Sequence, residues 1–155
     1  MHLPHLRPFA PHPLVFLTAC VYQRRQVLAS DAAHDILRDL WAKSAKLNGW
    51  YVGQYLLMPD HVHFFAAPSP AARPLADWMR IWKSMSATRI NQFHRQTGPL
   101  WQADYFDRFI RSLDDYNEKW NYVALNPVRK DLAVNPEDWP YRGVIHDLRY
   151  DASRS

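Results

Sequence analysis

Residues 50–68 read WYVGQYLLMPDHVHFFAAP, and how this stretch folds decides the architecture. It holds two runs of apolar, aromatic and β-branched residues, 50–58 and 61–68, with only Pro59-Asp60 between them. Runs of that length and type read as strands. A two-residue Pro-Asp connection lets them turn back on each other as a hairpin. Upstream, LVFLTACVY (14–22) has the same character and is read as a first strand. Between it and the hairpin, Ile36, Leu37, Leu40, Trp41 and Leu47 recur three or four apart, the period of a helix. That helix is expected over 31–48, with Ser30 or Asp31 as its cap and Gly49 as its stop.

Downstream, residues 68–74 carry three prolines and read as a linker. A second helix is expected over 75–95. Its apolar stripe holds Leu75, Trp78, Met79, Trp82, Ile90 and Phe93, and its polar face holds Arg80, Lys83, Ser84, Asn91 and His94. WQADYFDRFIR (101–111) is expected as a fourth strand with mixed alternation. A third helix follows over about 115–125, capped by Ser112 or Asp114 and ended by Asn126-Pro127. The order β-α-β-β-α-β plus one helix predicts an α+β fold of the ferredoxin-like, split βαβ kind. That fold hosts many activities, so function must come from particular side chains.

A chain of 155 residues with 48% apolar residues is expected to form one domain with a full core. We expect a loose Pro/His-rich arm over 1–13, a single domain over 14–143, and a tail over 144–155, with loose packing beginning after Trp139-Pro140. Cys20 is the single cysteine, which excludes an intramolecular disulfide and a cysteine metal cage and suits a reducing cytoplasm. No run of about 18 apolar residues exists to span a membrane. Residues 1–13 lack the apolar core of a signal peptide, so no cleavable targeting segment is expected. The net charge of +4 is concentrated: residues 73–130 hold ten Lys/Arg against six Asp/Glu. A basic middle suits a polyanion such as nucleic acid; it is equally what a solvated basic surface looks like.

Two polar rings at the start of a core strand need partners. In a strand, residues two apart share a face, so His61 and His63 project together, with Val62 on the other side. Two imidazoles so placed can bind one divalent ion, and open positions on that ion can take a phosphate. The triplet alone reads equally as two half-buried histidines bonded to backbone or water. In the third helix, Tyr116, Trp120, Val123 and Ala124 share the core stripe, while Tyr122 lies about 120° round from it. Asn126 follows Tyr122 by four residues, on the same flank. Alone, these read as a surface tyrosine and a helix end before proline.

Taken together, LLMPDHVHFF, LWQADYFDRFIR and NYVALNPVRKDLA resemble the REP-associated tyrosine transposases, relatives of the IS200/IS605-type single-tyrosine transposases in the HUH nuclease group. The resemblance runs from about residue 14 to about 143. It implies that His61 and His63 are metal ligands, that Asn126 is the third, and that Tyr122 is the nucleophile. Trp101, Gln102, Asp107 and Arg111 match a W-Q…D…R pattern, implying strand packing and contacts near DNA. The loop after Asn126-Pro127 departs from the usual pattern, with Lys130-Asp131 where a small residue and glycine are more common.

The implied enzyme cuts single-stranded DNA beside a REP-type hairpin through a 5′-phosphotyrosine, using Mg2+ or Mn2+ and no nucleotide cofactor. Arg80, Lys83, Arg108, Arg111 and Gln102 are expected to contact the DNA, and exposed aromatics to stack on bases. The sequence offers no obvious carboxylate to take the tyrosine's proton, and Asp60 is expected to point away from the histidines and serve the turn. The resemblance implies a monomer or homodimer in the bacterial cytoplasm, associated with the nucleoid. Two other readings stay open: a hairpin DNA- or RNA-binding protein that does not cut, and a metal-dependent phosphoesterase that uses water.

Overall fold

The computed structural model describes residues 14–148. The expected arm over 1–13 and the tail beyond residue 148 lie outside the described residues. Five strands build one sheet: β1 (Val15–Cys20), β2 (Trp50–Met58), β3 (His61–Pro68), β4 (Phe106–Phe109) and β5 (Arg142–Val144). Their order is β4-β1-β3-β2-β5, and every neighbouring pair is antiparallel. β1 and β2 both flank β3 and both run against it, so they are parallel to each other with α1 (Asp31–Asn48) as the crossover. This is the split βαβ arrangement that the sequence predicts.

The element ends follow local chemistry. Ser30 caps α1, its hydroxyl accepting from the Ala33 N–H at 3.2 Å. Gly49 ends the helix at φ 79°, where a side chain is strained and where a Cβ would meet Ala72 Cα at 2.6 Å. The β2–β3 hairpin closes through Pro59-Asp60 as expected, with Met58 opposite His61.

The sheet is covered on both faces. On one face α1 and α2 (Leu75–His94) pack Leu37, Trp41, Trp78, Met79 and Trp82 against Val62, Phe64 and Ala66 of β3. Trp41 and Trp82 stack at 6.0 Å, and Phe64 lies 5.1 Å from the Trp41 ring. On the other face α3 (Leu113–Ala124) lays Tyr116 and Trp120 over Phe65, with Tyr116 stacked at 4.3 Å. Val123, Trp139 and Leu148 complete that second core.

Several expectations are corrected. Leu47 and Phe93, placed on apolar stripes by periodicity, are more than half exposed. Each sits in the last turn of its helix, beyond the edge of the sheet's cover. The fourth strand is four residues long rather than eleven. Trp101 makes only an isolated bridge to Val21, and the loop after it is held away from the ladder by Lys83. Residues 141–148 are not loosely packed: β5 extends the sheet beside β2, and Leu148 is 5% exposed. Gly143 permits this, because a Cβ there would lie 2.6 Å from Tyr55 Oη. The third helix, by contrast, is capped by Ser112 and ends at Ala124 just before Asn126-Pro127, as expected; Asn126 then opens a separate turn, α4 (Asn126–Arg129).

Candidate active site

His61 and His63 leave β3 on the face opposite Val62 and Phe64, and their ring centroids lie 4.8 Å apart. Each ring is held at Nδ1. Asp60 Oδ1 sits 2.7 Å from His61 Nδ1, and Thr18 Oγ1, across the β1–β3 ladder, sits 2.8 Å from His63 Nδ1. A carboxylate only accepts, so His61 carries its proton on Nδ1 and keeps a lone pair at Nε2. Asp60 is itself fixed by Arg24, whose Nε donates to Oδ2 at 2.9 Å. The expectation that Asp60 points away from the histidines is therefore corrected. It lies in the two-residue turn, outside the strand's strict alternation, and reaches back to the ring beside it.

Burial sets the protonation of the pair. Loss of hydration pushes His63 down to about 3, with the neighbouring His61, Lys119 and Arg24 adding to the shift. Burial also lowers His61, partly opposed by the hydrogen bond and charge of Asp60. For Asp60, burial disfavours the charged form, but hydrogen bonds from His61 and Arg24 outweigh it and hold the carboxyl low. Both imidazoles are thus neutral near pH 7, the form that metal binding requires.

Asn126 completes the cluster from α4. Its amide nitrogen, Nδ2, lies 3.4 Å from His63 Nε2. Tyr122 stands on α3 with most of its surface in solvent, 64% exposed. Arg129 ties the two together: its guanidinium lies 4.1 Å above the Tyr122 ring, donates to the Tyr122 carbonyl at 2.6 Å, and donates to Asn126 Oδ1. The structure therefore brings His61, His63 and Asn126 together and links Tyr122 to them through one arginine. A neutral His61 with its Nε2 lone pair, and His63 whose Nε2 faces the Asn126 amide nitrogen, fit a divalent ion that keeps open positions once that amide turns its oxygen inward. Among the described residues, no group of three or more His, Cys, Asp or Glu is placed to hold a metal ion, so an ion at the histidine pair would depend on the Asn126 amide.

The residues expected at DNA fall into distinct settings. Arg80 is exposed and only loosely paired with Asp77 at 3.4 Å. Arg108 pairs with Asp115 across the exposed edge strand β4. Arg111 is exposed, and its backbone N–H donates to Asp115 Oδ2 at 3.0 Å. Gln102 is half-buried, its backbone N–H donating to the Cys20 carbonyl at 2.9 Å. Lys83 is turned onto the protein's own backbone. Its ammonium donates to the carbonyls of Gln102, Ala103 and Asp104 at 2.7, 3.0 and 2.9 Å, and an ammonium has three N–H bonds to give. In this structure it anchors that loop.

Sequence reasoning missed Arg24, Thr18 and Arg129. Arg129 was findable, since it is three residues from Asn126 on a helical turn. Thr18 needed the β1–β3 register. Arg24 had no signal: it reaches Asp60 from a backbone at φ 53°, beside Gln23 at φ 57°, a conformation uncommon for residues other than glycine.

Comparison with known proteins places this geometry. A family model described as transposase IS200 like matches residues 14–118. The REP-associated tyrosine transposase of Escherichia coli (strain K12) is 24% identical over 136 residues, covering 86% of this chain and 77% of that protein. The ISDra2 transposase TnpA of Deinococcus radiodurans is 35% identical over 95 residues, covering 56% of this chain and 64% of that one. Among solved structures, a REP-associated tyrosine transposase bound to a REP hairpin superposes with a TM-score of 0.67 at 19% identity, over 84% of this chain and 75% of that one. A putative transposase from Deinococcus radiodurans superposes with a TM-score of 0.56 at 24% identity, over 76% and 93% of the two chains. Both likenesses are of fold.

Proposed function

The chain belongs to the IS200-like transposase family, and we propose that it is a metal-dependent endonuclease and strand transferase for single-stranded DNA at REP-type hairpins, working through a 5′-phosphotyrosine. The observation that carries this reading is the gathering of two neutral imidazoles and Asn126, with Tyr122 tied to them by Arg129. The hairpin as partner is supported by the relative of that type, which is bound to a REP hairpin in its structure.

In this reading His61, His63 and Asn126 would hold Mg2+ or Mn2+, with Asn126 Oδ1 exchanging its contact with Arg129 for the ion. The ion, when bound, supplies Lewis-acid stabilisation of charge on the scissile phosphate. Asp60 and Thr18 keep the imidazoles aimed, so no proton has to leave them when the site is filled. Tyr122 Oη forms a bond to phosphorus as the bond from phosphorus to the 3′-oxygen breaks. The phenolic proton passes to solvent, and the departing oxygen takes up a proton to become a 3′-OH. The phosphodiester's energy stays in the tyrosyl link, so a 3′-OH can later attack it and rejoin strands. No nucleotide cofactor enters. Arg80, Arg108 and Arg111 lie on exposed positions from which cations can meet the backbone. The protein acts as a monomer or homodimer in association with the bacterial nucleoid.

The test is cleavage of end-labelled oligonucleotides with Mn2+. A single strand flanking a REP-type hairpin should be cut at one position, and chelation should stop it. Equal cutting of strands with and without a hairpin would remove the hairpin from the reading. Tight hairpin binding with no cut in any metal would leave a binding protein.

A further inference from the structure

A cavity of about 240 Å3 opens beside His61, lined by Met58, Pro59, Asp60, Lys130, Leu132 and the side chains of Arg24 and Gln26. Its walls are firm. The turn forming one side is pinned by the Val21 N–H on the Asp60 carbonyl at 2.8 Å and by the Leu28 N–H on the Pro59 carbonyl at 3.0 Å. Its floor is apolar: Met58 is 2% exposed, and Leu132 lies open at 44%. Its polar groups divide into two kinds. Arg24 and Asp60 neutralise each other at 2.9 Å. The Gln26 amide and the Lys130 ammonium make no side-chain hydrogen bond among the described residues, so both are available to a ligand. Lys130 lines the cavity together with His61, which places a cation beside the proposed phosphate position.

An apolar floor, one free amide and one free cation, sharing His61 with a phosphate site, match the chemistry of a nucleoside. We propose that this cavity is the subsite for the nucleoside joined to the scissile phosphate, and that it sets which base is accepted beside the cut. The inference rests on the DNA-cleaving reading above. Leu132 and Met58 contact the face of the base, the Gln26 amide meets its edge with one donor side and one acceptor side, and Lys130 meets the scissile phosphate to which that nucleoside is joined. The space admits one base, so the neighbour on the other side of the cut is left to solvent or to pairing within the DNA.

The test uses the full-length protein with Mn2+ and a hairpin oligonucleotide whose cut site has been mapped. Abasic residues are placed in turn on each side of the cut, and kcat/KM is measured for wild type, Gln26→Ala and Leu132→Ala. Both variant positions are exposed, and hairpin affinity reports whether the variants remain folded. The expected result is a loss of about tenfold or more for the abasic residue on one side only, the scale of one base's stacking. In Leu132→Ala that penalty should shrink, and in Gln26→Ala the preference among the four bases at that position should flatten. Equal cutting of intact and abasic strands by wild type would overturn the subsite while leaving the nuclease standing. A penalty undiminished in both variants would do the same. Wild type that cuts no strand at all would overturn the function on which the subsite depends.

Discussion

The two faces of β3 use burial for different ends. On one, Val62, Phe64 and Ala66 are fully buried among the tryptophans of α1 and α2. On the other, Phe65 and Ala67 are equally buried under α3, but the strand begins with His61 and His63. Water is excluded from the apolar residues of both faces and only in part from the two histidines. For Phe64 that exclusion is a stabilising term. For His63 it removes the charged form and holds the ring ready for a ligand. The chemistry is therefore not a departure from the core. It is the place where the core's edge is lined with groups that need a partner.

That contrast can be broken in order of expected effect. His63→Ala should cut divalent-ion affinity by more than the 10–100-fold typical of losing a supporting group, with the fold retained; calorimetry with Mn2+ and a thermal melt read the two. Phe64→Ala should do the reverse, costing about 3–5 kcal/mol in denaturant unfolding with ion affinity in the remaining folded protein unchanged. Asp60→Ala should weaken ion binding by about 10–100-fold and change the His61 tautomer seen in long-range nitrogen–proton NMR spectra. An unchanged tautomer would show that Asp60 only closes the turn.

Acid should also distinguish the faces. Folded His63 binds its proton only near 3, whereas the unfolded chain binds it near 6.5. Its contribution to stability is thus complete above about 6.5 and is lost as pH falls toward 3. The urea midpoint of the metal-free protein should drop between pH 7 and 4.5, and drop less in His63→Gln. Smallest of all, Arg80→Ala should change stability by less than about 0.5 kcal/mol and reduce the salt slope of single-strand binding by about 0.7.

Much of this was legible in the sequence where punctuation is strong. Ser30 and Gly49 bound α1, and Pro59-Asp60 separates β2 from β3, so those elements have the limits the sequence predicts. Legibility fails where an element exists through its neighbours. β5 is three residues that mean nothing until β2 offers an edge. β4 is short because Lys83, which reads as a surface cation, spends its donors on the preceding loop. In the candidate site, the shared face of the histidine pair follows from strand alternation, whereas the role of Asn126 rests on the family resemblance, its place being in a separate turn, α4. Arg24 could not be read, because its reach to Asp60 depends on two consecutive left-handed residues that no local pattern announces.

The central claim is that Tyr122 itself attacks the phosphate. We would incubate the protein with Mn2+ and a labelled hairpin strand, denature with SDS, and look for a protein–DNA adduct by gel and mass spectrometry. The account predicts a metal-dependent adduct on the peptide containing Tyr122 that is absent in Tyr122→Phe. Metal-dependent cutting that leaves no adduct and survives Tyr122→Phe would contradict it and assign the chemistry to water.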